Sequence, residues 1–149
     1  MADTTNPSLT LTRRIAAPPA RVYAAWTEPR LMARWWQPMP CDADGVQAEM
    51  DLRVGGRYRI VMRATGGEVH DVGGEYREIE PERRLSFTWA WRSTPERVSL
   101  VTVDFAPDDG GTLLTLTHER FFDAEARDRH RGGWQALLDA CAAHLGAAA

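Results

Sequence analysis

The sequence contains no lysine; all 18 of its basic residues are arginine. Arginine favours planar, bidentate contacts with carboxylates and phosphates. Coding bias in a GC-rich genome explains the same pattern and agrees with the abundance of alanine, so the absence carries no functional conclusion. Against 21 acidic residues the net charge is −3. No basic excess or long Arg run is present to neutralise phosphates, and nucleic acid is not expected as a partner. Cysteine is scarce. Cys41 and Cys141 lie far apart, neither in a Cys-x-x-Cys pair nor beside a His at ligand spacing, so no disulfide framework or zinc site is expected and both read as reduced thiols. His70, His118, His130 and His144 include no pair at the spacing of a helical metal site; no metal and no cofactor is implied. No stretch approaches the roughly 18 apolar residues of a membrane span. Met1 to Ser8 is polar rather than an apolar export signal. A cytoplasmic protein without membrane insertion is the expectation. A Gly-x-Ser-x-Gly nucleophile turn and a phosphate-cradling glycine loop are also absent.

What is present is an aromatic-rich chain of single-domain length. Six Trp accompany three Tyr and four Phe in 149 residues, 44% of them hydrophobic. The expected organisation is an extended or disordered segment over 1–8, one domain over 9–146 and a tail over 147–149. Leu9, Leu11 and Ile15 alternate with polar residues, which predicts a strand over 9–17. Pro18-Pro19 and Pro29 suit the first turns of two short helices, 20–26 and 30–36, because their fixed φ fits and their missing N–H would be unpaired there. Period two returns from Val46, and strands are expected near 57–63, 69–79, 84–92, 98–106 and 112–120. Asp123 is placed to cap a long helix over 123–145, with Gly146 as its stop and Trp134, Leu137, Leu138, Cys141 and Leu145 at helical spacing. Gly132-Gly133 inside that helix predicts a kink or a frayed first half, or else a close approach of backbone to sheet or ligand. Strands segregated from helices indicate an α+β fold: a curved seven-stranded antiparallel sheet covered by the long helix, with two short helices between the first two strands. One helix cannot fill the hollow of such a sheet, so an apolar cavity is expected between them.

An ordered series of short motifs is recognisable: Trp26-Thr27-Glu28-Pro29, Trp35-Trp36-Gln37-Pro38, Asp51 to Gly56, Gly74-Glu75-Tyr76, Pro81 to Trp89, Gly111-Thr112, His118 and Gly133-Trp134. Over about 9–145 the chain resembles the family of homologues of the activator of heat-shock-protein-90 ATPase, in the SRPBCC superfamily of START-like proteins. The resemblance implies a helix-grip fold with a hydrophobic cavity, which superfamily relatives use for lipids, sterols or polyketides and some use for chemistry. The eukaryotic activator looks like a two-domain protein whose N-terminal part makes much of the chaperone contact. A chain of 149 residues is not expected to accommodate that part.

Strand parity nominates the cavity wall. Trp35 and Trp36 stand at its mouth; Tyr58, Ile60 and Met62, Phe87 and Trp89, Val103 and Phe105, and Leu116 and His118 line it from the sheet; Trp134 faces it from the long helix. His118 is the single ionisable group in these runs. It reads as a hydrogen-bonded wall residue or polar handle satisfied near Arg120, or as an acid/base with Tyr58 or Tyr76 as partner. His70, beside a hairpin turn, is expected in solvent, and His130, one turn before Trp134, could face the cavity. Asp51 is read as stabilising a turn or pairing with an Arg. Arg57, Arg59 and Arg63 form an outer stripe with Glu49 or Glu75 as partners. Three functions follow as expectations: binding a small hydrophobic, aromatic, lipid or polyketide-like molecule; cavity chemistry at His118; and a protein-interaction role as a chaperone accessory or homodimer, which requires an exposed apolar patch.

Overall fold

The computed structural model describes residues 7–147. Strand β1 (Leu9–Ile15) leads into helices α1 (Pro19–Thr27) and α2 (Pro29–Met32). Six strands follow, β2 (Cys41–Met50), β3 (Arg57–Ala64), β4 (Val69–Glu80), β5 (Arg84–Trp91), β6 (Ser99–Asp108) and β7 (Gly111–Glu119), and then α3 (Ala124–Ala147). The strands form one sheet in the order β1-β7-β6-β5-β4-β3-β2, with every neighbouring pair antiparallel. This is the expected α+β architecture. The expected N-terminal segment lies outside the described residues as far as residue 6, and so do 148 and 149 of the tail.

Local chemistry accounts for the element boundaries. Pro19 occupies the first turn of α1 behind an extended Pro18, where no N–H is wanted. The second helix is shorter than its apolar residues predict: after Met32 the chain continues as turns, and the amides of both Trp35 and Trp36 donate to the Met32 carbonyl. Asp123 caps α3 as expected, its Oδ1 accepting from the Ala126 amide at 2.8 Å. The helix passes through Gly132-Gly133 without a break and one residue beyond Gly146. The expected close approach to the sheet does not occur, because a Cβ built at Gly132 or Gly133 meets nothing within 4 Å.

The register of the sheet shifts between β2 and β3 at Cys41/Val46 and between β4 and β5 at Tyr76/Glu78, and a lesion in the ladder lies beside the second shift. Between Gly73↔Ala90 and Tyr76↔Phe87 the ladder of β4 and β5 opens. Thr88 there accepts from the Tyr58 hydroxyl on its carbonyl at 2.5 Å and from the Glu75 amide on Oγ1 at 2.8 Å. Side chains thus replace the lost ladder bonds, as buried backbone groups require. Gly74 is needed at this point, since a Cβ would sit 1.9 Å from the Thr88 carbonyl oxygen.

The inward faces of β3, β5, β6 and β7 meet Trp134, Leu137, Leu138, Cys141 and Leu145 of α3, with Val22 and Trp26 of α1 closing one end. Burying such side chains contributes roughly 1.5–3 kcal/mol each. On the outer face Arg59 clamps Asp71 bidentately at 3.0 and 2.6 Å, and Arg92 approaches the same carboxylate at 3.6 Å. Glu49 stands directly across from Arg59 and Glu75 directly across from Arg57, as expected, but the hydrogen-bonded ion pair of Arg59 is made with Asp71, diagonally across on the neighbouring strand. Asp51 pairs with Arg53 at 2.8 Å beside the turn, as expected.

Candidate functional site

The six indoles form one connected cluster. Trp26 packs on Trp35 at 5.0 Å and stacks on Trp134 at 6.3 Å, while Trp36 contacts Trp89 at 6.2 Å and Trp134 at 5.8 Å. Trp89 continues to Trp134 at 5.0 Å and to Trp91 at 5.5 Å. Tilted and edge-on arrangements of this kind add about 0.5–1.5 kcal/mol per pair beyond area burial. The cluster fills most of the expected cavity. Around Trp26, Trp36, Tyr58, Ile60 and Phe87 only a void of about 10 Å³ remains.

The unfilled space lies at the other end of the cluster, as an open groove of about 490 Å³ between β5 and the first half of α3. Of the residues nominated from the sequence, Trp36, Met62, Trp89 and Trp134 line it, Met62 and Trp89 being the two that strand parity points to. Tyr58, Ile60 and Phe87 instead border the small inner void. Trp35, Val103, Phe105, Leu116 and His118 are buried without reaching the groove. Trp35 is held by its indole N–H, which donates to the Ala25 carbonyl at 3.1 Å. The remaining walls are Pro38, Met39, His70, Trp91, Arg129, His130, Gly133 and Leu137. Parity could have found His70: it pairs with Met62 and therefore faces inward at the groove rim, half-buried rather than in solvent.

His118 is wholly buried, and both of its nitrogens are used. The Trp134 indole N–H donates to Nδ1 at 2.9 Å, which leaves the proton on Nε2 to be donated to Ser99 Oγ at 2.7 Å. Ser99 in turn donates to the Trp89 carbonyl at 3.2 Å. The partners are thus Ser99 and Trp134, not the region of Arg120. Ser99 was legible only in hindsight: it shares a face with Val101, which pairs with His118. Burial, reinforced by nearby His130, holds the imidazole pKa well below its ordinary value, so the ring is neutral. In this tautomer His118 cannot accept the Ser99 proton. Tyr58 and Tyr76, the alternative polar partners, are kept protonated by burial, which raises both hydroxyl pKa values.

His130 is the imidazole that does reach the groove. Its Nδ1 donates to the Ala126 carbonyl at 2.7 Å, and Nε2 accepts from Trp91 at 2.9 Å and more weakly from Trp89 at 3.4 Å. Burial lowers its pKa, the Ala126 hydrogen bond opposes this, and Arg129 adds to the lowering. Cys141 sits beneath Trp26, its thiol pushed up to about 12 by burial, and is inert. Among the described residues no group of three or more His, Cys, Asp or Glu is placed to hold a metal ion, and no helix is long and apolar enough to cross a membrane. A larger trough of about 620 Å³ lies on the outer face among Arg57, Arg59, Arg77, Arg92 and acidic neighbours. Three carboxylates, Glu49, Asp71 and Glu75, stand among its four guanidiniums, whereas the groove walls are mostly apolar.

Residues 16–146 match the family described as Activator of Hsp90 ATPase homolog 1-like protein. Among solved structures, one from Chromobacterium violaceum is 31% identical with a TM-score of 0.79, covering 93% of this chain and 97% of that one. The AHSA1 protein from Silicibacter pomeroyi is 26% identical with a TM-score of 0.80, covering 96% of this chain and 100% of that one. The Activator of 90 kDa heat shock protein ATPase homolog 1 of Mus musculus is 32% identical over 75 residues, which is 47% of this chain and 22% of that protein. The match therefore spans about a fifth of the length of this curated relative.

Proposed function

The chain belongs to the Activator of Hsp90 ATPase homolog 1-like family, and on that premise we propose that it is a binding module that holds a small, flat hydrophobic molecule in the groove between β5 and α3. The observation that carries this reading is the groove itself: four indoles and two methionines surround about 490 Å³ of open space in a domain whose interior is otherwise packed. That volume is within the range of small-molecule sites, which are concave and mostly apolar. Gly133 supports it further. A glycine costs a helix about 1 kcal/mol relative to alanine, no protein atom requires one here, and the missing Cβ leaves the groove wider.

Binding is favoured over turnover because the one wall histidine expected to do chemistry, His118, lies behind Trp134 with both nitrogens engaged. A chaperone-accessory role rests on the name of the mouse relative. An apolar docking surface at Trp35-Trp36 does not support it, since these side chains are 2% and 1% exposed.

The test is titration with the neutral fluorophore N-phenyl-1-naphthylamine, following its emission under excitation of the tryptophans. Saturable enhancement that is lost in Gly133→Leu, a variant that fills the groove, is the expected result. Absence of binding, or binding indifferent to Gly133→Leu, overturns the proposal.

A further inference from the structure

We propose that the groove selects an aromatic acid, a flat ring system carrying a carboxylate, over neutral or cationic molecules of the same shape; the inference rests on the groove-binding reading above.

The indole N–H groups around the groove are not free for a ligand: those of Trp89 and Trp91 donate to His130, that of Trp134 donates to His118, and that of Trp36, without a partner among the described residues, is itself buried. His130, the nearest candidate for an acceptor, has its Nε2 lone pair occupied by Trp91 and Trp89 and its Nδ1 proton donated to Ala126. It therefore offers nothing to a ligand that brings a donor.

Charge supplies the preference. No aspartate or glutamate lines the groove, and Arg129 is its single charged wall. Two carboxylates stand just outside the lining. Glu125 holds Arg129 at 2.9 Å, and Glu68 lies 3.4 Å from His70. The Glu125–Arg129 pair is solvent-exposed on both sides. Pairs of this kind contribute little and exchange readily, so a ligand carboxylate arriving at the rim can replace Glu125 as the partner of Arg129. A cationic ligand would find aromatic faces but also the Arg129 guanidinium and no carboxylate in the wall. The groove thus differs from an aromatic cage for ammonium ions, despite its tryptophans.

The experiment displaces N-phenyl-1-naphthylamine with three ligands of one shape: 2-naphthoate, 2-methylnaphthalene and 2-naphthylmethylammonium. Naphthoate is expected to bind at least about tenfold more tightly than the ammonium compound, the usual worth of one charge-assisted hydrogen bond. Arg129→Gln should collapse that ratio towards unity, and Glu125→Gln should tighten naphthoate about two- to fivefold by releasing Arg129. Equal binding of anion and cation to the wild type, or an unchanged ratio in Arg129→Gln, overturns the inference while leaving groove binding intact. Failure of N-phenyl-1-naphthylamine itself to bind overturns groove binding, and this inference with it.

Discussion

Replacing the two glycines of α3 one at a time separates what the helix wants from what the groove wants. Gly132 and Gly133 are adjacent, both helical, and a Cβ at either meets no atom within 4 Å. Each change to alanine should therefore stabilise the protein by about 1 kcal/mol, chiefly by removing backbone freedom from the unfolded chain. For a domain of this size that is a rise in Tm of about 2–4 °C for each substitution. The two differ in what the new methyl faces. Gly132 is exposed, whereas Gly133 lies in the groove wall. Gly132→Ala should leave N-phenyl-1-naphthylamine affinity unchanged; Gly133→Ala should weaken it by about tenfold, the scale of a methyl forced into a fitted site. Thermal unfolding followed by circular dichroism, with fluorescence titration of the same samples, reads both quantities. Destabilisation by either alanine would refute the continuous, uncrowded helix. Equal affinities of the two variants would refute the assignment of Gly133 to the binding wall.

Three further outcomes are expected. Because burial lowers the folded pKa of both His118 and His130, the unfolded chain binds protons that the folded chain does not as pH falls below the ordinary imidazole value of 6.5. Stability should therefore be complete above about pH 6.5 and fall below it by up to about 1.4 kcal/mol per pH unit for each ring. Urea unfolding between pH 7.5 and 5 measures this, His130→Gln should halve the slope just below pH 6.5, and a flat profile would contradict the buried neutral pair. His118→Ala should cost about 3–5 kcal/mol, since it leaves a void and strands both the Trp134 N–H and the Ser99 hydroxyl network; a loss under 1 kcal/mol in urea unfolding would show that the network contributes little. Gly74→Ala should prevent folding or lower the Tm by more than 10 °C, because its Cβ would overlap the Thr88 carbonyl. The open turn position Gly66→Ala should change Tm by no more than about 2 °C, the scale of an unconstrained surface site; similar Tm values for the two variants would refute the steric account of the β4–β5 lesion.

Strand parity was the most informative local signal. It placed Tyr58, Ile60 and Met62 on the dry face, and all three are buried there. The same rule would have turned His70 inward, two residues before the buried Val72 on the same face. Pairing with Met62 turns the ring inward despite the neighbouring hairpin turn, and it lines the groove rim. The apolar residues of 33–36 were read as helix, yet the chain there forms turns back to Met32, because packing Trp35 against Trp26 and onto the Ala25 carbonyl outweighs helical continuation.

Element types and their order follow from short-range chemistry: alternation at period two, prolines in first turns, an aspartate cap and glycine-rich turns each act within a few residues, so the sequence alone determines them. Which side chains fill the hollow and which leave it open does not follow from any local pattern. Trp26, Trp35, Trp36, Trp89 and Trp134 come from two helices, a turn and a strand, and their summed volume occupies the inner end of the sheet's concavity. The remaining space appears only where β5 and the glycine-bearing turn of α3 diverge, between Trp91 and Gly133. Close packing is a property of the assembled elements, so only the tertiary structure could decide that the expected cavity is largely solid and that the open space is a groove at one end.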